Sequence, residues 1–357
     1  MSAFTRARAA RLVVGGAVAA LLVAGCGGGG PSLAGAGASS QEIAMQAWLA
    51  GFHELSPDIL TSYEPVGSGA GRGMFINGSV QFAGTDAFLD DDEAVAATER
   101  CHGGDVLELP LYISPIAVAY HLPGLDVEHL QLEPEVIAAI FNGDITSWDD
   151  AAIAATNPDV ELPDVAIIPV NRSDDSGTTE NFTEYLAEAG GDAWPHEPSG
   201  TWPLTGTHSG QQNVGVVSTM EGADGTIGYL DASQVTPEMG TVAVGVAGGF
   251  VPFSPEAAAL AVDSSSPAPG ATDTRLTIHL DRDPEQEGAY PIVLVSYTLA
   301  CTAYESDEEA AAVAALLGYI ISEEGQLKAA APDVAGSAPV AGQLRDRIEA
   351  AIDQIGG

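Results

Sequence analysis

Basic residues are what this chain lacks most. One lysine, Lys328, stands among 357 residues, and Lys and Arg together number 11 against 50 Asp and Glu, a formal net charge of −39. Nucleic-acid binders line Lys and Arg along the phosphates, and this chain has too few to do so. A P-loop closes its glycine-rich turn with Gly-Lys-Ser/Thr, whereas Lys328 follows Leu327. Schiff-base chemistry through lysine is excluded on the same ground. Cysteine is scarce as well, with three residues. The seven histidines show no ligand spacing with one another or with cysteine, and Cys101-His102 stands alone. No metal and no cofactor is therefore expected. The hydrophobic fraction is 46%, so the acidity is not that of a disordered chain. A globular protein remains, long enough for two lobes with their own cores.

The first 25 residues read as an export signal. Arg6, Arg8 and Arg11 form a basic start, and the apolar run of 14 residues from Leu12 to Gly25 is too short to span a membrane. It ends in Leu22-Val23-Ala24-Gly25-Cys26, which looks like a bacterial lipobox. Cys26 is then the lipid-modified first residue, and residues 26–38 a glycine-rich tether. An ordinary secreted protein with a stray cysteine is the plainer alternative. Signal removal leaves eight basic residues against 50 acidic ones, a net of −42. Cys101 and Cys301 remain, either bridged, as an exporting compartment allows, or buried as separate thiols.

Strands alternate with helices along the rest of the chain, an α/β pattern. Helices are expected over 41–52, 134–141, 178–189, 308–322 and 343–355, and strands over 61–66, 80–84, 165–170, 227–230 and 292–299. The apolar stretch 106–120 reads as a buried strand broken by prolines, and 263–273 as a surface loop. Three helix starts carry Ser, Thr or Gly: Ser39-Ser40 as N-cap candidates, Ser68-Gly69-Ala70-Gly71, and Ser176-Gly177-Thr178-Thr179. A helix start presents unpaired N–H groups and partial positive charge, and so binds anions without lysine. Each alone is an ordinary cap. The third differs because Arg172 lies four residues before Ser176, in a loop that follows an apolar strand.

These segments, together with Gly35-Ala36-Gly37-Ala38, Phe82-Ala83-Gly84-Thr85-Asp86, Ile140-Phe141-Asn142-Gly143-Asp144-Ile145 and Ile227-Gly228-Tyr229, occur in an order that resembles the phosphate-binding proteins of bacterial high-affinity phosphate ABC importers. The resemblance implies a type II periplasmic-binding-protein fold, with the ligand in the cleft between two α/β lobes and a two-strand hinge. Lobe 1 is expected to comprise 39–112 and 295–357, and lobe 2 to comprise 113–294. It further implies that Ser39, Ser40, Ser68, Asp86, Arg172, Ser176, Gly177 and Thr178 bind phosphate, with Asp174 orienting Arg172. Two departures stand out. Ser39-Ser40 replaces a common Thr-Phe, and Arg72 follows the second glycine loop where relatives often carry an uncharged residue; it either adds positive charge near the site or, the favoured reading, lies on the surface. Within such a fold Cys101 and Cys301 both fall in lobe 1. Their bridge would close a loop of about 200 residues, worth roughly 5 kcal/mol in the chain-entropy model.

Asp86 gives the resemblance chemical sense. A carboxylate repels an anion unless the ligand brings a proton to donate; phosphate keeps one near neutral pH and sulfate does not. Implied partners are inorganic phosphate, the permease and ATPase subunits of the importer, and the membrane through the lipid anchor on its extracytoplasmic face, with no nucleic acid. The alternatives are a receptor for another tetrahedral oxyanion, sulfate or molybdate, and a secreted phosphoester hydrolase using Ser176. Against the hydrolase, no histidine base neighbours Ser176 and no Gly-x-Ser-x-Gly elbow surrounds it.

Overall fold

The computed structural model describes residues 30–125 and 127–357. The export signal and Cys26 lie outside the described residues. In chain order the first elements are β1 (Ser32–Gly37), α1 (Glu42–Leu55), β2 (Leu60–Glu64), α2 (Ser68–Ile76), β3 (Phe82–Thr85), α3 (Asp91–Arg100) and the long β4 (Val106–His121). Next come β5 (His129–Leu132), α4 (Pro134–Asn142), α5 (Ala151–Thr156), β6 (Ile168–Arg172), α6 (Gly177–Ala189), β7 (His208–Gly210), α7 (Gln212–Glu221) and β8 (Thr226–Asp231). The chain closes with β9 (Gly240–Val246), β10 (Gly249–Pro252), α8 (Pro255–Ser264), β11 (Ser266–Pro267), β12 (Ile278–His279), β13 (Val293–Cys301), α9 (Asp307–Ile321), α10 (Glu323–Ala330) and α11 (Gly342–Ile352).

The main sheet runs β2-β1-β3-β13-β4-β8-β6-β7, with β9 joining at β4 and carrying β5 and β10. β4 belongs to both halves. Its stretch Val106–Pro115 pairs with β13, and Ile116–His121 pairs with β8. The fold is thus two α/β lobes sharing one long strand, and β13, paired with β3 and the first half of β4, lies in the first lobe. In each half the parallel strands end toward the cleft, which places their following loops at the ligand position of open α/β sheets.

Three expectations need correction. The segment 106–120 is unbroken, because Pro110 sits at a bulge, where pairing shifts between Ser296 and Tyr297 and a missing N–H costs little. The tether does not extend to residue 38, since Ser32–Gly37 is β1, flanked on both sides by parallel strands. The 263–273 loop is partly ordered into elements. Asp263 and Ser264 end α8, Ser266–Pro267 pair with Ile278–His279, and the Ala268 N–H donates to the Thr277 carbonyl at 2.9 Å.

Local chemistry sets the helix ends. α3 opens with a capping box between Asp90 and Glu93. α4 has Pro134 in its first turn and ends at Gly143, whose φ is 86°. Lobe 1 is stapled by a disulfide from the end of α3 to the end of β13, Cys101–Cys301, with Cα atoms 5.2 Å apart. Lobe 2 instead packs an aromatic group behind the cleft, with Phe182 stacked on Tyr229 at 4.3 Å and Phe141 and Trp202 against the same tyrosine. No helix among the described residues is long and apolar enough to cross a membrane.

Candidate functional site

Lobe 1 brings Ser39, Ser40, Ser68 and Asp86 to the cleft from the ends of β1 and β3 and the start of α2. All four are buried. Contrary to the expectation from sequence, neither Ser39 nor Ser40 caps α1; the cap position is Gln41, which makes no side-chain capping bond. The two serines serve the cleft instead. Ser40 Oγ donates to Asp86 Oδ1 at 2.6 Å, and Ser68 Oγ accepts the Asp86 backbone N–H at 3.1 Å. Ser39 Oγ accepts two N–H groups of Asn213 from lobe 2, the backbone at 3.3 Å and Nδ2 at 3.2 Å.

Lobe 2 contributes the loop from β6 into α6. Arg172 is held side-on by Asp174, with Nε to Oδ1 at 2.8 Å and Nη2 to Oδ2 at 2.5 Å, a bidentate pair that fixes the guanidinium plane. Its backbone N–H donates to Tyr229 Oη at 3.2 Å. Ser176 is the N-cap of α6, its Oγ accepting from Thr179 N at 3.2 Å. Among the described residues the amides of Gly177 and Thr178 meet no acceptor, as the first turn of a helix dictates. Thr178 Oγ1 reaches across to Asp86 Oδ2 at 3.1 Å.

The hydroxyls sort by direction. Ser39, Ser68 and Ser176 each spend lone pairs on an N–H, which leaves the O–H free to donate. Ser40 and Thr178 spend their O–H on Asp86. The cleft therefore offers an anion several donors and one acceptor.

The lobes meet at two glycines. A Cβ on Gly177 would stand 2.6 Å from Asp86 Cβ and 2.8 Å from Ser68 Oγ. A Cβ on Gly67, whose φ is 97°, would stand 2.7 Å from Asp174 Oδ2. Both contacts cross the cleft, so the structure is a closed one.

Burial pushes the Asp86 carboxyl above the usual range, and the hydroxyls of Ser40, Ser296 and Thr178 together with the charge of Arg172 pull it back. A second buried carboxyl, Asp231 at the end of β8, is pushed up to about 7 by burial, with Asp86 adding repulsion. Its Oδ1 takes Tyr112 Oη at 3.1 Å and Ser233 N at 3.0 Å, while Oδ2 has no partner among the described residues. Burial likewise raises Tyr229 to about 12.

All nine residues expected from the sequence converge here. Sequence reasoning missed Asn213, which ties Ser39 to lobe 2 and accepts the Asp231 N–H at 3.2 Å through Oδ1. It missed Gln212, whose φ of 59° aims its N–H at Asp174 Oδ1 at 3.0 Å. Asp231 was within reach, as it directly follows the strand expected over 227–230. Arg72 is not a surface residue: its side chain is 11% exposed, pairs with Glu93 at 3.0 Å and lies 4.0 Å from Asp175.

A model of the PBP superfamily domain matches residues 23–324. Phosphate-binding protein PstS 3 of Mycobacterium tuberculosis is 34% identical over 337 residues, covering 92% of this chain and 88% of that protein. Phosphate-binding protein PstS of Methanocaldococcus jannaschii is 29% identical, covering 89% of each. The fold matches the phosphate-binding protein from Stenotrophomonas maltophilia at a TM-score of 0.72 and 17% identity, over 89% of this chain and 93% of that one. A phosphate ABC transporter substrate-binding protein from Clostridium perfringens with bound phosphate gives 0.60 and 20%, over 85% and 98%. The chain belongs to the PBP superfamily and, within it, to the PstS phosphate-binding proteins.

Proposed function

We propose that this protein is an extracytoplasmic receptor that binds inorganic phosphate in the interlobe cleft and delivers it to the permease and ATPase of a phosphate ABC importer. Lipid at Cys26 holds it to the membrane. Ser39, Ser68 and Ser176 donate O–H groups, Gly177 and Thr178 donate backbone N–H groups, and Arg172, oriented by Asp174, supplies the positive charge. The observation that carries the reading is Asp86. It is a buried carboxylate, 4% exposed, set among the donors Ser39, Ser68, Ser176, Gly177 and Thr178. Such a group suits an anion that still carries a proton. A fully ionised oxyanion would face a repelling carboxylate with no proton to share, a cost of several kcal/mol in a buried site.

The close approach of the lobes at Gly177 and Gly67 favours a small ligand such as free phosphate over its esters. Ser176 as a nucleophile is disfavoured, because among the described residues its hydroxyl donates to no histidine or carboxylate base and instead caps α6. With a net of −42 the distant field repels phosphate, although salt screens it beyond about 8 Å. Affinity thus rests on the local donors. Calorimetric titration of the protein lacking its first 26 residues with phosphate, sulfate and a phosphomonoester, from pH 5 to 8.5, tests this. Phosphate should bind tightly, sulfate weakly and the ester not at all. Silent phosphate injections beside a sulfate signal would overturn the assignment.

A further inference from the structure

Arg282 is one of the few cations in the chain, yet its side chain is 1% exposed and touches none of the groups assigned to phosphate. It stands in the loop before β13. Nη1 donates to the Val293 carbonyl at 2.7 Å, at the first residue of β13. Nη2 donates to Glu184 Oε2 at 2.7 Å and to Asn181 Oδ1 at 2.6 Å, both on α6. Burying a cation is costly unless it is fully paired, so this expense needs a structural return.

That return lies in Asn181, which is 5% exposed. An asparagine amide can flip, presenting either oxygen or nitrogen to a neighbour. Arg282 removes the choice, because a guanidinium only donates and so takes the oxygen. Nδ2 then has to point the other way. It donates to Gly177 O at 2.9 Å within α6, and across the lobe boundary to the backbone carbonyl of Asp86 at 2.8 Å. Asp86 thereby receives lobe 2 donors at two places, Thr178 on its side chain and Asn181 on its main chain.

We propose that Asn181, its amide set by Arg282, is a positioning residue for phosphate that fastens the Asp86 main chain to lobe 2 as the cleft closes. This rests on the phosphate-receptor reading. The Gly177 and Arg282 bonds of Asn181 lie within lobe 2 and persist when the lobes part, while the Asp86 bond exists only in the closed form. Asn181 therefore acts after encounter. It holds the carboxylate where the proton of the ligand meets it, and it slows reopening.

The test uses Asn181→Asp and Asn181→Leu in the mature protein, with phosphate association and dissociation rates from stopped-flow tryptophan fluorescence and melting temperatures with and without phosphate. Asn181→Asp keeps the Arg282 pair but removes the donor to both Gly177 O and Asp86 O, so the melting temperature should fall somewhat without phosphate and by clearly more with it. Phosphate dissociation should quicken roughly tenfold to a hundredfold, the range for an orphaned buried carbonyl, with association little changed. Asn181→Leu, which adds no charge, should quicken dissociation in the same way. Wild-type dissociation from Asn181→Asp overturns the proposal. So does faster dissociation from the Asp variant alone, which would mark a charge effect, or an equal loss of melting temperature with and without phosphate, which would mark a residue of the lobe fold only. If the parent protein fails to bind phosphate, the receptor reading itself falls and this proposal with it.

Discussion

Each lobe ends a strand at the cleft with a buried carboxyl group, and the two are treated in opposite ways. Asp86 of lobe 1 has a hydroxyl on each oxygen, from Ser40 and Thr178, and lies in the field of Arg172. Asp231 of lobe 2 has its partners crowded on one oxygen, and the other is bare among the described residues. Burial is common to both, so donors and charge make the difference. Burial raises both, but at Asp86 the hydroxyls and Arg172 oppose the rise, whereas Asp231 is pushed up to about 7. The lobes differ in bracing too. Lobe 1 carries the disulfide and lobe 2 relies on stacked aromatics behind Arg172.

The largest effect is expected from Arg172→Ala. It removes the guanidinium that lobe 2 brings to the cleft and leaves Asp174 without its cation, so phosphate and sulfate should both weaken by about 2–5 kcal/mol in a titration. Equal affinity in the variant would break the division of labour between the lobes. Next comes the staple. Paired Cys101→Ser and Cys301→Ser substitutions should lower the melting temperature, by at most roughly 5 kcal/mol of stability in the chain-entropy model. Phosphate binding should survive, because both cysteines lie within lobe 1, and its loss would show that the staple also sets the hinge. Asp86→Asn should cost less overall but act on selectivity, shrinking the phosphate-over-sulfate ratio about tenfold to a hundredfold. An unchanged ratio would refute the proton-acceptor role.

The smallest effect concerns Asp231. A carboxyl raised in the folded state binds its proton there at pH values where the unfolded chain has released it. Its contribution to stability is therefore complete at low pH and disappears as pH rises toward and through about 7. Asp231→Asn should flatten the melting-temperature profile between pH 5 and 8 in the ligand-free protein. A slope equal to that of the parent would place the titration elsewhere.

The loop from Asn171 to Thr178 is legible because its chemistry is contiguous: strand, arginine, cap and helix start within eight residues. Asp86 carries no such signal, and only the order of neighbouring segments marks it. β1 reads as tether because Ser-Leu-Ala-Gly-Ala-Gly holds no β-branched residue. The structure shows why small residues are required there: the ring of Phe82 fills the space a side chain on Gly35 would occupy. Asn213 and Arg282 act over 174 and 101 residues of separation, on Ser39 and Asn181. No local periodicity reports contacts of that kind. Gln212 adds a left-handed backbone at a residue type that does not advertise it.

The two missing side chains at Gly177 and Gly67 make the closed cleft a gauge of fixed length. Lobes that stop against bare backbone meet at a separation set by the glycines rather than by the ligand. Alanine at Gly177 would act as a shim one methyl group thick, holding the lobes apart on the Asp86 side. A graded set of shims would yield receptors arrested at graded apertures, from which the dependence of phosphate affinity on closure can be read directly.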